Sequence, residues 1–154
     1  MIINDQDHDV FNEDINSVVG KISGDILYLD PPYNQRQYAT NYHMLETIAK
    51  YDNPEIYGKT GLREYQKQKS RYCSRAQVKE IFKDLILKAR ARYIFLSYNN
   101  EGLMTLKDIQ EIMSLRGEYG NFTKEYNRFK ADKSENRKYI ADKTIEYLHY
   151  VVCH

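Results

Sequence analysis

Residues 26–33 read Ile-Leu-Tyr-Leu-Asp-Pro-Pro-Tyr and join four apolar residues to a turn that carries one carboxylate and one aromatic ring. The apolar run predicts a buried strand over residues 25–29. Two consecutive prolines lack backbone N–H groups and have a fixed φ, so the chain must leave the sheet after residue 29. Ligands of open α/β sheets bind outside the carboxyl ends of the strands. We therefore expect a ligand site at residues 30–33, which we call the Pro-Pro turn.

The Pro-Pro turn has the groups that are needed to hold a planar amine. Asp30 can accept one hydrogen bond from an –NH2 group, and the Pro31 carbonyl can accept a second from the same group. These bonds draw the nitrogen lone pair out of conjugation and direct it at an electrophile, while the Tyr33 ring stacks on the attached ring. The alternative is a simple strand-to-turn junction in which Asp30 is only solvated.

The composition predicts one globular domain without a membrane segment. The chain has 154 residues, of which 42% are hydrophobic and 29% are charged. No apolar run approaches the roughly 18 residues that a membrane helix needs, and residues 1–7 do not resemble a secretion signal. We therefore expect a cytoplasmic protein. Cys73, Cys153 and the histidines are scattered, so we predict neither a disulfide nor a metal site.

A basic stretch is the strongest sign of a nucleic-acid partner in a chain whose net charge is only +1. Residues 52–73, which we call the basic segment, are too long for a plain α/β loop, so we expect a binding role or disorder. We predict that this segment contacts DNA phosphates, with a solvated loop as the alternative. The candidate cations are Lys59, Arg63, Lys67, Lys69 and Arg71, and Lys130 and Arg137 add phosphate contacts from a second charged stretch.

Periodicity predicts alternating strands and helices along the rest of the chain. Val10-Phe11 could form a short strand, and a helix is expected over residues 41–51. Ser74 and Gln77 match a capping box. The helix that follows has an apolar face made of Val78, Ile81, Phe82, Leu85 and Ala89.

The remaining elements are also read from periodicity and turn chemistry. A buried strand is expected over residues 93–96. Thr105 should cap a helix that Gly117 ends. That helix should point Leu106, Ile109, Ile112 and Met113 inward. Residues 121–130 and 145–152 alternate as strands do, and the absence of a helix between them predicts an antiparallel hairpin at the sheet edge.

These motifs resemble the Dam-like, adenine-specific DNA methyltransferases of restriction-modification systems. The likeness lies in the Pro-Pro turn, in residues 34–49 after it and in the strand end at residues 96–102. It implies an α/β fold with a partial Rossmann-like sheet for S-adenosylmethionine, mixed with an antiparallel C-terminal hairpin, in one catalytic domain over residues 1–154. The implied activity transfers a methyl group from S-adenosylmethionine to the exocyclic amine of a flipped adenine in double-stranded DNA.

The resemblance also implies which residues form the site. The catalytic residues would be Asp30, Pro31, Pro32 and Tyr33. Asn34, Tyr38 and Tyr42 would line the substrate pocket, with the two tyrosines the weaker candidates because either could simply pack. Asp14 and Asp30 would contact the cofactor, S-adenosylmethionine; a solvated turn is the alternative for Asp14.

One expected feature of the family is missing from this sequence. Such enzymes hold the cofactor largely through a glycine-rich turn after their first strand, and none of the seven glycines here forms a Gly-x-Gly pair. The chain is therefore expected to be a truncated domain that begins near the family's third strand, with the first strands missing and a sheet edge exposed. A missing N-terminal half or a second subunit is the expected protein partner.

Other functions remain open from the sequence. The chain could be an inactive fragment, or half of a split methyltransferase, that acts as a non-catalytic DNA-binding module. Within the enzymes, the substrate could instead be RNA or a protein glutamine. Aspartate rather than asparagine at position 30 argues against glutamine, and the basic segment favours nucleic acid.

Overall fold

The computed structural model describes residues 7–127 and 143–154 of the chain. It contains both helices and strands, and the predicted alternation is interrupted by the successive helices α2 and α3 and by two pairs of successive strands. In chain order they are α1 (Ile15–Val18), β1 (Gly24–Leu29), α2 (Tyr38–Asn41), α3 (His43–Lys50), β2 (Ile56–Tyr57), β3 (Leu62–Arg63), α4 (Val78–Lys88), β4 (Ala91–Asn99), α5 (Leu106–Met113), β5 (Gly117–Asn127) and β6 (Lys143–Cys153). Two short 3-10 turns, Gln66–Gln68 and Arg71–Cys73, lie between β3 and α4.

Four strands form one mixed sheet in the order β1-β4-β6-β5. β1 and β4 are parallel, with Leu29 opposite Leu96. β6 is antiparallel to both of its neighbours, β4 and β5. The predicted α/β class and the antiparallel C-terminal hairpin at the sheet edge are therefore confirmed. β2 and β3 form a separate small hairpin within the basic segment.

The predicted apolar face of α4 forms the centre of the core. Its side chains lie among the buried residues of the protein, together with Ile94 and Leu96 of β4. Burying one such side chain stabilises a fold by about 1.5–3 kcal/mol. The residues of α4 and its C-cap that were predicted to face inward are all buried, namely Val78, Ile81, Phe82, Leu85 and Ala89.

The predicted cap of α5 is also confirmed. The Thr105 hydroxyl accepts a hydrogen bond from the Asp108 N–H at 3.1 Å, and the Asp108 carboxylate accepts one from the Thr105 N–H at 2.9 Å. Ile109, Ile112 and Met113 are buried as expected. Leu106 was predicted wrongly: it lies in the first turn of the helix and is 43% exposed.

β1 is an edge strand, so the prediction that it is buried was wrong. Ile26 and Tyr28 are 65% and 60% exposed, whereas Leu29 is buried. β1 pairs only with β4 among the described residues. An apolar run predicts burial on both faces of a strand, but here the core covers only one of them.

Several predicted element boundaries were also wrong. Val10-Phe11 is exposed and has no regular structure. α4 begins at Val78, and the Ser74 carbonyl rather than its hydroxyl accepts the Val78 N–H at 2.9 Å. The helix expected over residues 41–51 is present as α3, directly after the short α2, but the apolar side chains Met44, Leu45 and Ile48 on it are exposed.

Gly117 begins β5 instead of ending α5, which already ends at Met113. Its φ is +153°, and a Cβ at this position would collide with the backbone carbonyl of Val152. Glycine is needed here because the backbones of β5 and β6 come too close together for a side chain.

The sheet face opposite α4 and α5 is apolar and exposed. In the strand register, Tyr28 lies opposite Phe95, Phe95 opposite Tyr150, and Leu148 opposite Phe122. Phe122 is 63% exposed and stacks on Tyr150 with ring centroids 5.5 Å apart. We call this surface the open face. No helix in the described part of the chain is long and apolar enough to cross a membrane.

Candidate active site

The first three residues of the Pro-Pro turn line a wide cleft. The turn begins directly after β1, at the carboxyl end of the parallel pair β1–β4, as the sequence predicted. The cleft has a volume of about 670 Å³. Asp14, Asp30, Pro31 and Pro32 line it together with Tyr28. The structure therefore brings both predicted cofactor carboxylates, Asp14 and Asp30, to one cleft.

The Asp30 carboxylate is available to a ligand. Asp30 is exposed, and its side chain makes no hydrogen bond or ion pair with any other described residue. Tyr38 lies near it: burial, followed by the nearby charge of Asp30, raises the pKa of the Tyr38 hydroxyl. An unoccupied carboxylate beside a proline carbonyl has the acceptor groups that a bound amine requires.

The far end of the Pro-Pro turn is fixed to the loop after β4. The Tyr33 carbonyl accepts hydrogen bonds from the Leu103 N–H at 2.9 Å and from the Tyr98 hydroxyl at 3.4 Å. The rings of Tyr33 and Tyr98 meet edge to face, with centroids 6.3 Å apart. These contacts leave the Tyr33 ring 37% exposed, so one side of it can still stack on a ligand.

The predicted substrate residues lie just after the turn. Asn34 accepts the N–H of Arg36 at 2.9 Å, so its side chain already stabilises a local turn. Tyr38 and Tyr42 meet edge to face at 5.7 Å and are 47% and 56% exposed. Both rings therefore present surface to solvent rather than to the core.

Asp14 has two partners at the edge of the cleft. Its carboxylate caps α1 by accepting the Asn16 N–H at 2.9 Å. Its other oxygen lies 3.8 Å from the Arg71 guanidinium. Because both side chains are about half exposed, this ion pair can contribute little to stability. Asp14 is thus neither a purely solvated residue nor closed to a ligand.

The basic segment has ordered structure and lies beside the cleft. It forms the β2–β3 hairpin and two 3-10 turns, so the alternative of a disordered loop is wrong for these residues. Lys67, Lys69 and Arg71 line the cleft and are exposed. Lys59 is exposed at the tip of the hairpin, where it is not part of the cleft lining.

Arg63 differs from the other cations of the basic segment. It is only 8% exposed, and its guanidinium holds both oxygens of Asp52, at 2.6 and 3.2 Å. It also donates to the Thr47 hydroxyl at 3.3 Å. The hydrogen bonds from Arg63 lower the pKa of Asp52. In this structure Arg63 therefore joins the hairpin to α3, where it is not exposed for the phosphate contact that the sequence suggested.

Sequence reasoning missed the residues that hold the basic segment in place. The Gln37 amide accepts the Ser70 N–H at 2.7 Å and donates to the Ser70 carbonyl at 3.2 Å. Asn16 accepts the Tyr72 hydroxyl at 2.9 Å and donates to the Ile81 carbonyl. No sequence motif marks Gln37 or Asn16. Tyr98, which holds the Pro-Pro turn, was also missed, although the polar residues around it at the end of β4 are a signal that could have found it.

The sequence predictions also concerned two further cations, a metal site and the cysteines. Lys130 and Arg137 lie outside the described residues. The described residues contain no cluster of histidine, cysteine, aspartate or glutamate side chains that could hold a metal ion. Cys73 and Cys153 are both free thiols.

Comparison with known proteins identifies the family. Residues 1–114 match the family model of the D12 class N6 adenine-specific DNA methyltransferases. The chain is 55% identical over 142 residues to the type II methyltransferase M.NlaIII of Neisseria lactamica, and 47% identical over 144 residues to M.FokI of Planomicrobium okeanokoites. It is 34% identical over 145 residues to M.CviAII of Paramecium bursaria Chlorella virus 1. No solved structure matches the chain.

These relatives are longer than the part that matches. The aligned regions cover 92% of this chain with M.NlaIII and M.FokI, and 93% with M.CviAII. They cover only 42%, 22% and 41% of the relatives, in the same order. The comparisons confirm the predicted resemblance to the adenine-specific methyltransferases of restriction-modification systems.

Proposed function

Since the chain belongs to the D12 class of N6 adenine-specific DNA methyltransferases, we propose that its cleft serves methyl transfer from S-adenosylmethionine to the exocyclic amine of adenine in double-stranded DNA. One observation carries the proposal. A single cleft of about 670 Å³ is lined by the Pro-Pro turn, by Asp14 and by three exposed cations of the basic segment. Amine acceptors, a cofactor carboxylate and phosphate-binding groups are thus adjacent.

The Pro-Pro turn would orient the amine. Asp30 and the Pro31 carbonyl each accept one hydrogen bond from it, which localises the nitrogen lone pair. Tyr33 stacks on the adenine ring. A base inside a duplex cannot reach such a turn, so the adenine must be flipped out at a cost of a few kcal/mol. The work of these residues is positioning and desolvation, the effects that convert a bimolecular reaction into an effectively unimolecular one.

The donor set of the cleft fits S-adenosylmethionine. Asp14 and Asp30 supply carboxylates, and Tyr28 and Leu29 supply apolar surface next to them. When bound, this cofactor supplies an activated methyl group on a sulfonium. We propose that Asp14 contacts the cofactor while it also caps α1, and that Asn34, Tyr38 and Tyr42 complete the adenine pocket. The sheet would then be part of a Rossmann-like fold.

The exposed cations of the basic segment would bind the DNA backbone. The proposed contacts are Lys59, Lys67, Lys69 and Arg71, because Arg63 is buried against Asp52. Each phosphate contact adds about −0.9 to the slope of log K against log salt. Reversing the charge of Lys67 and Lys69 should therefore flatten that slope by roughly two. An unchanged slope would exclude Lys67 and Lys69 from the DNA interface.

The open face supports a further proposed partner. Parallel strand pairs such as β1–β4 occur mostly in sheets that are covered on both faces, and the outer edge of β1 has no strand partner among the described residues. We propose that an additional protein layer, supplied by a second subunit, pairs with β1 and covers the open face. The part of M.NlaIII outside the 142 matched residues is a ready probe. It should bind the wild-type chain and not Ile26→Lys, since Ile26 is an exposed residue of β1 outside the cleft lining, and failure to bind the wild type would refute the proposal.

Methyl transfer is the direct test of the proposed activity. The full chain, alone and with that additional layer, would be incubated with radiolabelled S-adenosylmethionine and either duplex DNA or RNA. We expect labelled DNA, unlabelled RNA and a loss of at least about 100-fold in Asp30→Ala. The matched control is Asp25→Ala, since Asp25 is an exposed carboxylate of β1 whose partner is Arg92. Retained transfer in Asp30→Ala would refute the assignment.

Calorimetric titration with S-adenosylmethionine tests the cofactor site separately. Micromolar binding that Asp14→Ala weakens would support the proposed cleft. If the folded chain does not bind S-adenosylmethionine, the proposed cofactor site is absent from this chain. We also propose that the protein acts in the cytoplasm, where its DNA substrate would be accessible.

A further inference from the structure

The hydroxyl of Tyr98 has three hydrogen-bond partners, although its residue is only 1% exposed. It donates to the Tyr33 carbonyl at 3.4 Å. It accepts the N–H groups of Leu103 at 3.1 Å and of Met104 at 3.3 Å. A phenolic hydroxyl has one donor and two acceptor sites, so all of its capacity is used. Buried polar groups with such full satisfaction stiffen the structure around them.

The partners of Tyr98 belong to two segments that are distant in sequence. Tyr33 ends the Pro-Pro turn, whereas Leu103 and Met104 lie in the loop between β4 and α5. That loop is itself fixed: Asn100 accepts the Ile145 N–H and donates its own N–H to the Ile145 carbonyl, both at 3.0 Å. Tyr98 therefore connects the Pro-Pro turn to a loop that is fastened to the central strand β6.

The Tyr98 ring is closely packed in this position. Its edge meets the Tyr33 ring at an interplanar angle of 80°. On another side it packs against the backbone of Gly102 so closely that a Cβ on that residue would overlap ring atoms. A fixed ring holds the hydroxyl in place, and the hydroxyl holds the Tyr33 carbonyl.

We propose that Tyr98 is a positioning residue of methyl transfer, which sets the geometry of the Pro-Pro turn through the Tyr33 carbonyl. The inference rests on the proposed function, because it assigns Tyr98 to the reaction of the Asp30 site. Tyr98 does not touch the amine or the donor. It acts through Tyr33, whose ring must lie parallel to the flipped base while Asp30 and Pro31 face its amine.

The test compares Tyr98→Phe with Tyr119→Phe in the full chain. Tyr119 is a suitable control because its hydroxyl is also hydrogen-bonded, to His149 at 2.8 Å, but it lies on β5 away from the turn. A misplacement of about 1 Å can cost 100-fold in rate. We expect kcat to fall roughly 10- to 100-fold in Tyr98→Phe, with KM for DNA and for S-adenosylmethionine changed less than about twofold.

A simple loss of stability would lower the apparent kcat only in proportion to the unfolded fraction, so kcat is expressed per folded molecule, and a mainly structural role would then leave it unchanged. Unfolding by urea reports that fraction for both variants. Gly102→Ala is a second variant, which keeps the hydroxyl but displaces the ring; it should give the same loss of kcat. Equal kcat values in Tyr98→Phe and the Tyr119→Phe control would overturn the proposal.

Amide hydrogen exchange tests the anchor without any catalytic activity. Met104 has the Tyr98 oxygen as the acceptor of its N–H, whereas Leu103 also has the Tyr33 carbonyl. Exchange at Met104 should become roughly tenfold faster in Tyr98→Phe and stay unchanged in Tyr119→Phe. If the wild type transfers no methyl group, the proposed function fails for this chain, and the exchange comparison still decides whether Tyr98 holds the turn. Unchanged exchange at Met104 would overturn the proposal.

Discussion

Replacing Gln37 with alanine should release the basic segment from the chain that follows the Pro-Pro turn. The Gln37 amide makes two hydrogen bonds to the backbone of Ser70, at 2.7 and 3.2 Å. Both residues are half-buried. Ser70 in turn begins the 3-10 turn that contains Arg71 and Tyr72, since its hydroxyl accepts the Tyr72 N–H. The substitution thus removes the link that holds Lys69 and Arg71 beside the cleft.

The expected loss of stability follows from the two hydrogen bonds that Gln37→Ala removes. A hydrogen bond contributes about 1 kcal/mol net, so their loss should destabilise this region by about 2 kcal/mol. In a domain of this size 2 kcal/mol lowers Tm by roughly 4–8 °C. If the effect is local, the Ser70 amide should instead exchange about 30-fold faster while Tm stays almost constant.

Thermal unfolding measures a global loss of stability, and amide exchange at Ser70 measures a local one. A DNA-binding titration measures whether the displaced cations still bind DNA. The matched control is Gln66→Ala, because Gln66 is an exposed glutamine of the same segment whose side chain has no partner among the described residues. DNA affinity should fall in Gln37→Ala and not in the control. The reasoning is refuted if Tm, Ser70 exchange and DNA affinity all match those of the control.

Three further substitutions test the fold. Gly117→Ala should cost at least about 2 kcal/mol in urea unfolding, because it combines a positive φ with a collision at the Val152 carbonyl. Asn16→Ala should cost about 3 kcal/mol in the same assay, since it removes partners of Tyr72, Ile81 and Asp84. Burial lowers the pKa of His149 to about 4, so the unfolded chain binds the extra proton and stability should fall by up to roughly 3 kcal/mol between pH 6.5 and 4. His149→Phe should remove most of that difference in unfolding curves at pH 5 and 7, and an unchanged slope would contradict the assignment.

Strong periodicity was a reliable guide to the core. The apolar faces of α4 and α5 and the strands of the C-terminal hairpin all repeat with a clear period, and burial of those faces dominates the energy of folding. The Thr105 cap could be predicted because the groups that bond to each other, on Thr105 and Asp108, are only three residues apart. The place of the Pro-Pro turn also followed from local chemistry, since two prolines stop a strand wherever they occur.

Contacts between distant segments explain what the sequence could not predict. Leu-rich β1 looks buried, yet whether both faces are covered depends on which elements pack on the sheet. Arg63 has the same local setting as Lys67, but a carboxylate 11 residues earlier in the chain, Asp52, captures its guanidinium. Tyr98, Gln37 and Asn16 each bond to at least one partner that is 33 or more residues away along the chain. No local pattern contains such partners.

The position of β6 between β4 and β5 has a consequence for how the protein is made. β5 is synthesised before β6 but pairs with no other strand of the described sheet. A growing chain can therefore form β1, α4 and β4 early, while β5 stays without a partner until residue 153 has left the ribosome. During synthesis at about 5–20 residues per second, Phe122 and its neighbours are exposed as an unpaired apolar strand for one to several seconds. A pause in translation between β5 and β6 would prolong that interval, and the nascent chain would be most vulnerable to aggregation and to proteases at that point.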